Sequence, residues 1–252
     1  MPNSVGENQT KRKLKAGELD LFMGVNQMRT PNIAMIAAAC GFDGIYIDLE
    51  HNPTSLETSD GVCVAALGMD VTPMPGVTSH DPHAATRILD WGAQGVMVPH
   101  IQNAAERSKG HRSAFRSGPQ LGYAAIPQAE LRKVLNEETL AMIESPEAVE
   151  NADAIAAVDG IDVLHIGVSD LSTEMGIPGQ RTHERMRSAF ESVARAAKAH
   201  GKAMGSAVCA RISGSRAGLC GSAYANLTSG SDGGYILNAG RADVKQLREL
   251  KL

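Results

Sequence analysis

The sequence lacks the features that would place it in a membrane, in a disulfide-bonded scaffold or on nucleic acid. No run of about 18 apolar residues occurs, so no membrane-spanning helix is predicted. The four cysteines show no CxxC spacing, which argues against a thiolate metal site and against a disulfide framework. The formal net charge of −4 gives no basic excess that would attract nucleic acid. Neither a membrane nor nucleic acid is therefore predicted as a partner.

The N-terminal segment MPNSVGENQTKRKLKAGE also lacks the apolar core of a secretory signal. Together with the scattered cysteines, this predicts a cytoplasmic protein with reduced thiols. Cys40 and Cys63 lie among small apolar residues and are predicted to be buried. The basic residues between 11 and 15 are predicted to form a solvated helical turn.

What the sequence does contain is a regular alternation of strand-length apolar runs and segments of helical period. Their continuous apolar character is typical of parallel strands covered on both faces. Eight such units in 252 residues predict a single (β/α)8 barrel, or TIM barrel, over residues 1–252. A doubly wound open sheet is the alternative. The runs lie at 21–25, 44–50, 71–77, 95–101, 139–144, 162–170, 203–208 and 225–232.

Polar residues gather where the predicted strands end, which is where (β/α)8 barrels carry their functional residues. Glu144 and Asp170 follow neighbouring strands and are candidate ligands of one divalent cation. Carboxylate oxygens with open water positions suit Mg²⁺ or Mn²⁺ better than zinc. Each carboxylate could instead cap a helix or face solvent. The other polar residues at strand ends are Asp48, Glu50, His51, His100 and Asp232.

Several of these residues have a structural role as the competing interpretation. Asp232 is predicted to be a helix cap rather than a ligand, and Asp48 could serve only to brace its turn. His165 lies inside an apolar strand and is predicted to be a core histidine. For His100 a functional and a structural role are equally consistent with the sequence.

Five segments carry a resemblance to a known family. They are GFDGIYIDLEHNPT, SHDPHAATRILDWGAQGVMVPHIQNA, GPQLGYAAIP, MIESPEAVENADAIAAVDGIDVLHIGVSDLSTEMGIPGQ and SGSDGGYILNAGRADV. Together they resemble the HpcH/HpaI aldolases, the metal-dependent pyruvate aldolases of the phosphoenolpyruvate/pyruvate barrel superfamily. The segments occur in the family's order and cover most of the chain, and the fourth is the most specific.

The resemblance implies a lyase that joins or separates a pyruvate enolate and an aldehyde, acting on 4-hydroxy-2-oxo acids of aromatic or sugar-acid catabolism. It implies Glu144 and Asp170 as ligands of Mg²⁺, Mn²⁺ or Co²⁺. It also implies a catalytic pair of His51 and Asp90, with Glu50 near the metal's waters. The backbone amides of Gly167, Val168, Ser169 and Asp170 would bind the pyruvate carboxylate.

The family assembles as a homo-oligomer, a hexamer built as a trimer of dimers, in which the last helix packs on a neighbouring subunit. Residues 234–250 are the corresponding segment of this chain. The resemblance therefore implies a homo-hexamer.

Two features depart from the family's pattern. The family carries an arginine fourteen residues before the position of Asp90, where this chain has Gly76. Arg112 or Arg116 is the candidate substitute for binding the substrate's keto oxygen. The glycine also predicts open space for a bulkier substrate, and Gly76→Arg is predicted to raise the rate of pyruvate methyl exchange or of oxaloacetate decarboxylation. The segment from Asn103 to Arg112 is shorter than in the family.

The missing arginine leaves other functions open. A diverged 2-oxo-acid decarboxylase, hydratase or hydrolase on the same scaffold is the main alternative. A non-catalytic paralogue that binds a metal or an oxo acid is another.

Overall fold

Eight parallel strands close into a barrel in sequence order, with the first strand paired to the last. The structure is a computed structural model that describes residues 8–105, 118–123, 138–207 and 224–250. The closed barrel confirms the predicted (β/α)8 fold and excludes the open sheet. The strands are β1 Asp20–Val25, β2 Gly44–Asp48, β3 Thr72–Gly76, β4 Gly95–Val98, β5 Glu138–Ile143, β6 Val163–Ile166, β7 Ala203–Ala207 and β8 Tyr224–Ser231.

Helices surround the strands in the described part of the chain. They are α1 Gln9–Ala16, α2 Asn32–Ala39, α3 Leu56–Gly68, α4 Pro82–Asp90, α5 Pro146–Glu150, α6 Ala152–Ala156, α7 Val168–Glu174, α8 Glu184–Ala199 and α9 Asp232–Arg248, with a 3-10 turn at Pro119–Leu121. The sequence pattern missed α1, and it extended the sixth strand into what is α7. The helix predicted near 212–220 lies outside the described residues. Among the described residues, no helix has the length and apolar content needed to cross a membrane.

Side-chain caps begin several helices directly after the strands. Ser55 accepts a hydrogen bond from the amide of Thr58 at 3.1 Å and so caps α3. Ser145 caps α5 in the same way, at 3.1 Å from the amide of Ala148. Such caps satisfy amides that the first helical turn leaves without partners. The chain therefore turns sharply from strand to helix, which keeps the residues at the strand ends close together.

Helix α1 covers the N-terminal end of the barrel and is held there by ion pairs. Lys11 contacts Asp162 at 3.1 Å, and Lys13 contacts Asp43 at 2.7 Å. The prediction of a solvated basic turn is therefore wrong for these two lysines, because acids at the starts of the strands pair with them.

The cysteine predictions had mixed outcomes. Cys63 is buried in the core between the strands and the helices, as predicted. Cys40 is exposed, because it follows the last residue of α2 rather than lying on the face of the helix that packs on the barrel. Cys209 and Cys220 lie outside the described residues.

Two carboxyl groups are fully buried inside the barrel near this covered end. Burial raises the pKa of Asp20 to about 8 and that of Glu138 to about 7. One carboxyl oxygen of each has no hydrogen-bond partner among the described residues. His165 is also buried, as predicted, and burial lowers its pKa to about 4. The interior near this end therefore holds neutral acids and a neutral imidazole.

The buried acids make stability fall as the pH rises. Asp20 binds a proton in the folded chain up to about pH 8 but loses it in the unfolded chain near pH 3.8. Folding therefore takes up a proton between these two pH values. As a result, the contribution of Asp20 to the free energy of unfolding falls as the pH rises towards 8. The contribution of His165 to stability changes with pH in the opposite direction. It rises with pH, but only between the folded pKa of about 4 and the ordinary value of 6.5. The change in the free energy of unfolding between pH 6.5 and 8 therefore comes from the carboxyl groups.

We expect the free energy of unfolding to fall by roughly 2 kcal/mol from pH 6.5 to 8, and Asp20→Asn to remove more than half of that fall. An asparagine is the neutral isostere of the protonated acid, and it can still accept the 2.9 Å hydrogen bond from Asn226. Urea unfolding at the two pH values measures the effect. The exposed Asp159→Asn is the matched control. Equal pH dependence in Asp20→Asn and the wild type would contradict the assignment.

Candidate active site

Polar residues that the sequence places after four different strands lie together at the open end of the barrel. We call the end that carries Glu50, His51, His100, Glu144 and Asp170 the mouth. His100, Glu144 and Asp170 line one cavity of about 190 Å³ there. Glu50 joins them through the His100 ring, and His51 lies beside Glu50 at 3.7 Å. The C-terminal ends of β2, β4, β5 and β6 thus converge on one polar site.

Asp48 holds the loop that carries Glu50 and His51. One of its carboxylate oxygens accepts the amides of Glu50 and His51, both at 3.0 Å. The other accepts the side-chain amide of Asn52 at 2.6 Å. Asp48 is buried and fully engaged in this turn. It therefore positions its neighbours rather than binding a ligand, and Asp232 similarly accepts amides from the loop after β1.

His100 connects the two glutamates of the mouth. Its backbone amide donates to Glu144 Oε2 at 2.9 Å, and its Nδ1 lies 3.2 Å from the same oxygen. Its Nε2 lies 3.0 Å from Glu50 Oε1. The backbone of His100 has φ +53°, a left-handed conformation that a residue other than glycine adopts at an energetic cost and that is concentrated at functional sites. No spacing in the sequence indicated this role for His100; only its position after a strand did.

The electrostatics of Glu144 favour a bound cation. Burial raises the pKa of its carboxyl group, the negative charges of Asp170 and Glu50 raise it further, and His100 lowers it. A positive charge at this place would offset both the desolvation cost of the ionised carboxylate and its repulsion by Asp170 and Glu50. Among the described residues, no three His, Cys, Asp or Glu side chains converge on a metal position. Glu144 and Asp170, which line the same cavity, could hold a cation only if water or substrate supplied its other ligands.

The absence of a side chain at Gly167 leaves room for the Glu144 carboxylate. A Cβ atom at position 167 would lie 2.5 Å from Glu144 Oε1, so a larger residue would displace the carboxylate. The Gly167 amide donates to the carbonyl of Ile143 at 3.2 Å. Of the four amides implied to bind the pyruvate carboxylate, this one is thus already used by the strand ladder. The amides of Val168, Ser169 and Asp170 belong to the first turn of α7, where no helical carbonyl precedes them.

Asp90 does not reach the mouth within one chain. It is the last residue of α4, which runs from the mouth towards the opposite end of the barrel over roughly 13 Å. Four residues later, the amide of Gln94 already bonds the carbonyl of Pro73 near the start of β3. Among the described residues, the ion pair of His51 is with Glu50. A pairing of His51 with Asp90 therefore needs a second chain, and Arg112 and Arg116 lie outside the described residues.

Tyr46 fills the space that Gly76 was predicted to leave open. A Cβ atom at position 76 would lie 2.6 Å from the Tyr46 hydroxyl oxygen. Burial raises the pKa of the Tyr46 hydroxyl, and the nearby carboxylates of Asp48, Glu50 and Glu144 raise it further. The prediction of a roomier pocket is therefore wrong. Tyr46 escaped notice in the sequence because it lies in an apolar run, although it shares a strand face with Asp48.

Comparisons with known proteins agree on one family. The family model for HpcH/HpaI aldolase/citrate lyase matches residues 21–239. The chain is 35% identical over 213 residues to a 4-hydroxy-4-methyl-2-oxoglutarate aldolase of Hapsidospora irregularis, covering 79% of each protein. It is 34% identical over 211 residues to a pyruvate aldolase of Rhizobium etli, covering 79% of this chain and 82% of that protein. The crystal structure of an HpcH/HpaI aldolase from Desulfitobacterium hafniense superimposes with a TM-score of 0.87 at 27% identity, covering 96% of this chain and 97% of that one.

Proposed function

The chain belongs to the HpcH/HpaI aldolase/citrate lyase family, and from this premise we propose that it is a divalent-metal-dependent pyruvate aldolase that cleaves 4-hydroxy-2-oxo acids. The arrangement of Glu144 carries the proposal. This buried carboxylate faces Asp170 in one cavity and is oriented by His100. Curated relatives named as aldolases of a branched 4-hydroxy-2-oxo diacid and of pyruvate support the reaction class.

The residues of the mouth suit a retro-aldol reaction. Glu144 and Asp170 would hold the cation, which as a Lewis acid stabilises the negative charge on a 2-oxo acid. His51 is proposed to take the proton of the 4-hydroxyl group. The bond between C3 and C4 then breaks, C4 becomes a carbonyl, and the electron pair passes to C3 and the C2 oxygen. Protonation of C3 completes pyruvate, whose carboxylate would bind the amides of Val168, Ser169 and Asp170.

Glu50 has a supporting part in the proposal. It lies between the imidazoles of His51 and His100, at 3.7 Å and 3.0 Å. A carboxylate in this position can accept hydrogen bonds from both rings and so orient the two imidazoles. The pairing of His51 with Asp90 stays part of the proposal only across a boundary between subunits.

One pair of assays tests the proposed function. Pyruvate in D₂O is incubated with the protein and Mn²⁺ or Mg²⁺, and loss of its methyl proton signal is followed by NMR. Release of pyruvate from 4-hydroxy-4-methyl-2-oxoglutarate is measured in parallel. Metal-dependent exchange together with cleavage is the expected result. Bound pyruvate without exchange or cleavage would exclude the aldolase and favour another 2-oxo-acid reaction or a binding role.

We also propose that the chain assembles as a homo-hexamer through its last helix. Helix α9 exposes an apolar row consisting of Ile236, Leu237, Val244 and Leu247, each about half exposed or more. A row of this kind on a single helix indicates a contact with another surface. The resemblance to the family supports a second copy of this chain as that surface.

Leu247→Asp is expected to dissociate the assembly into smaller species, because it places a charge in the apolar row. Gln246→Asp is the matched control, since it adds the same charge at the neighbouring exposed position of the same helix. Sedimentation velocity measures both variants and the wild type. A monomeric wild type, or identical sedimentation of the two variants, would contradict the role of this row.

A further inference from the structure

We propose that Tyr46 is a substrate-facing residue of this site, whose hydroxyl donates a hydrogen bond to the C2 oxygen of the 2-oxo acid. This inference rests on the proposed function and assigns one further residue to the same site. The Tyr46 side chain neither caps a turn nor is proposed as a cation ligand.

The position of the Tyr46 ring supports the inference. The ring packs against the apolar cluster inside the barrel, which includes Phe22, Met74 and Met97. Its hydroxyl lies against the Cα atom of Gly76. Gly76 is the last residue of β3 and pairs with Asp48, the last residue of β2. The hydroxyl therefore reaches the level at which the strands end, which is the floor of the mouth.

The hydroxyl makes no hydrogen bond to another described residue, and its oxygen is not among the fully buried polar atoms that lack a partner. The oxygen is therefore accessible, and its O–H is available to donate to a bound molecule. Its carboxylate neighbours are acceptors only, so an O–H donor at this place is complementary to the site. The absence of a side chain at position 76 is what makes room for it.

The charge of the mouth explains why a donor is needed. The described residues that line the cavity include no lysine or arginine, and Glu144 and Asp170 are both acidic. The C2 oxygen becomes negative when the bond between C3 and C4 breaks, so it needs donors besides the cation. A tyrosine hydroxyl supplies a hydrogen bond without adding a positive charge. Tyr46 is thus suited to stabilise the enolate more than the ground-state ketone.

Tyr46→Phe tests the inference, because it removes the oxygen atom and keeps the ring. We expect pyruvate methyl exchange to slow by about 10²-fold, with less than about a threefold change in KM. Oxalate, a planar mimic of the pyruvate enolate, should bind more weakly by a similar factor, while the Kd for Mn²⁺ and the unfolding temperature stay unchanged. Tyr123→Phe is the matched control, because that tyrosine is exposed and follows the 3-10 turn whose Gln120 bonds the carbonyl of Leu89 in α4.

The position of Gly76 offers a second test. Gly76→Arg alone should slow exchange, contrary to the expectation from the sequence, because its Cβ atom would collide with the Tyr46 hydroxyl. Exchange should be faster in Tyr46→Leu with Gly76→Arg than in Tyr46→Leu, because an arginine can then enter the vacated space as a donor.

The outcomes separate the two proposals. A wild type without metal-dependent exchange or cleavage would overturn the proposed function. An active wild type matched by Tyr46→Phe would overturn only the role of Tyr46. A Tyr46→Phe variant that loses exchange by losing Mn²⁺ affinity would also overturn that role, because the hydroxyl would then act on the metal site rather than on the substrate.

Discussion

Replacing Glu144 with glutamine is expected to abolish metal-dependent exchange, with a loss on the order of 10³-fold or more. The amide keeps the size of the side chain and can still accept the bond from the His100 backbone, but it removes the charge that would hold the cation. A metal acting as Lewis acid supplies several kcal/mol to the transition state, and each 1.36 kcal/mol corresponds to a factor of ten. The thermal stability should rise slightly or stay constant, because a buried like-charge repulsion disappears.

The measurement combines a metal titration with the exchange assay. Mn²⁺ binding, followed by calorimetry or electron paramagnetic resonance, should weaken in parallel with the loss of rate. Glu150→Gln is the matched control. It makes the same chemical change at a residue that is exposed at the end of α5. Retention of Mn²⁺ affinity and of exchange in Glu144→Gln would exclude Glu144 as a ligand.

His51→Ala is expected to lower the rate of carbon–carbon cleavage by about 10²–10⁴-fold, the range typical of a lost acid–base group. The imidazole is mostly exposed and contacts Glu50 at 3.7 Å, so its removal should leave the fold intact. Because His51 is not placed on the cation, the affinities for Mn²⁺ and for pyruvate should stay within about threefold. The Mn²⁺ affinity therefore distinguishes the two variants, because it should weaken in Glu144→Gln and stay nearly unchanged in His51→Ala.

The control for His51 is another imidazole paired with a carboxylate. His200→Ala removes a ring that lies 3.0 Å from Asp153 beyond the end of α8, away from the mouth. Its cleavage rate should equal that of the wild type. If His51→Ala retained full activity, or lost it through weaker Mn²⁺ binding, its part in proton transfer would be excluded.

The sequence was sufficient for the barrel and for placing Glu50, His51, Glu144 and Asp170 at the ends of its strands. Continuous apolar runs predict parallel strands one by one, and the closure of eight such strands brings their C-terminal ends together by topology alone. Glu144 and Asp170 could therefore be placed in one cavity before any distance was known. The same pattern could not set the end of the sixth strand, because the apolar character of residues 162–168 continues into α7.

Contacts between distant residues were decided only by the tertiary structure. The linkage of Glu50, His100 and Glu144 joins residues far apart in sequence, and it depends on a left-handed backbone at His100. Asp90 shows the opposite case. Its sequence context implies a partner of His51, yet the direction of α4 carries it to the other end of the barrel.

The strand end that carries Asp48, Glu50 and His51 shows the division most clearly. The sequence by itself determined that three titratable groups follow a buried strand, because the apolar run ends there. Only the folded chain decided that Asp48 braces the turn, that Glu50 meets His100, and that Tyr46 occupies the space beside Gly76. The physical reason is that hydrophobic periodicity is encoded locally, whereas hydrogen bonds and side-chain space depend on atomic positions set by strands that are distant in sequence.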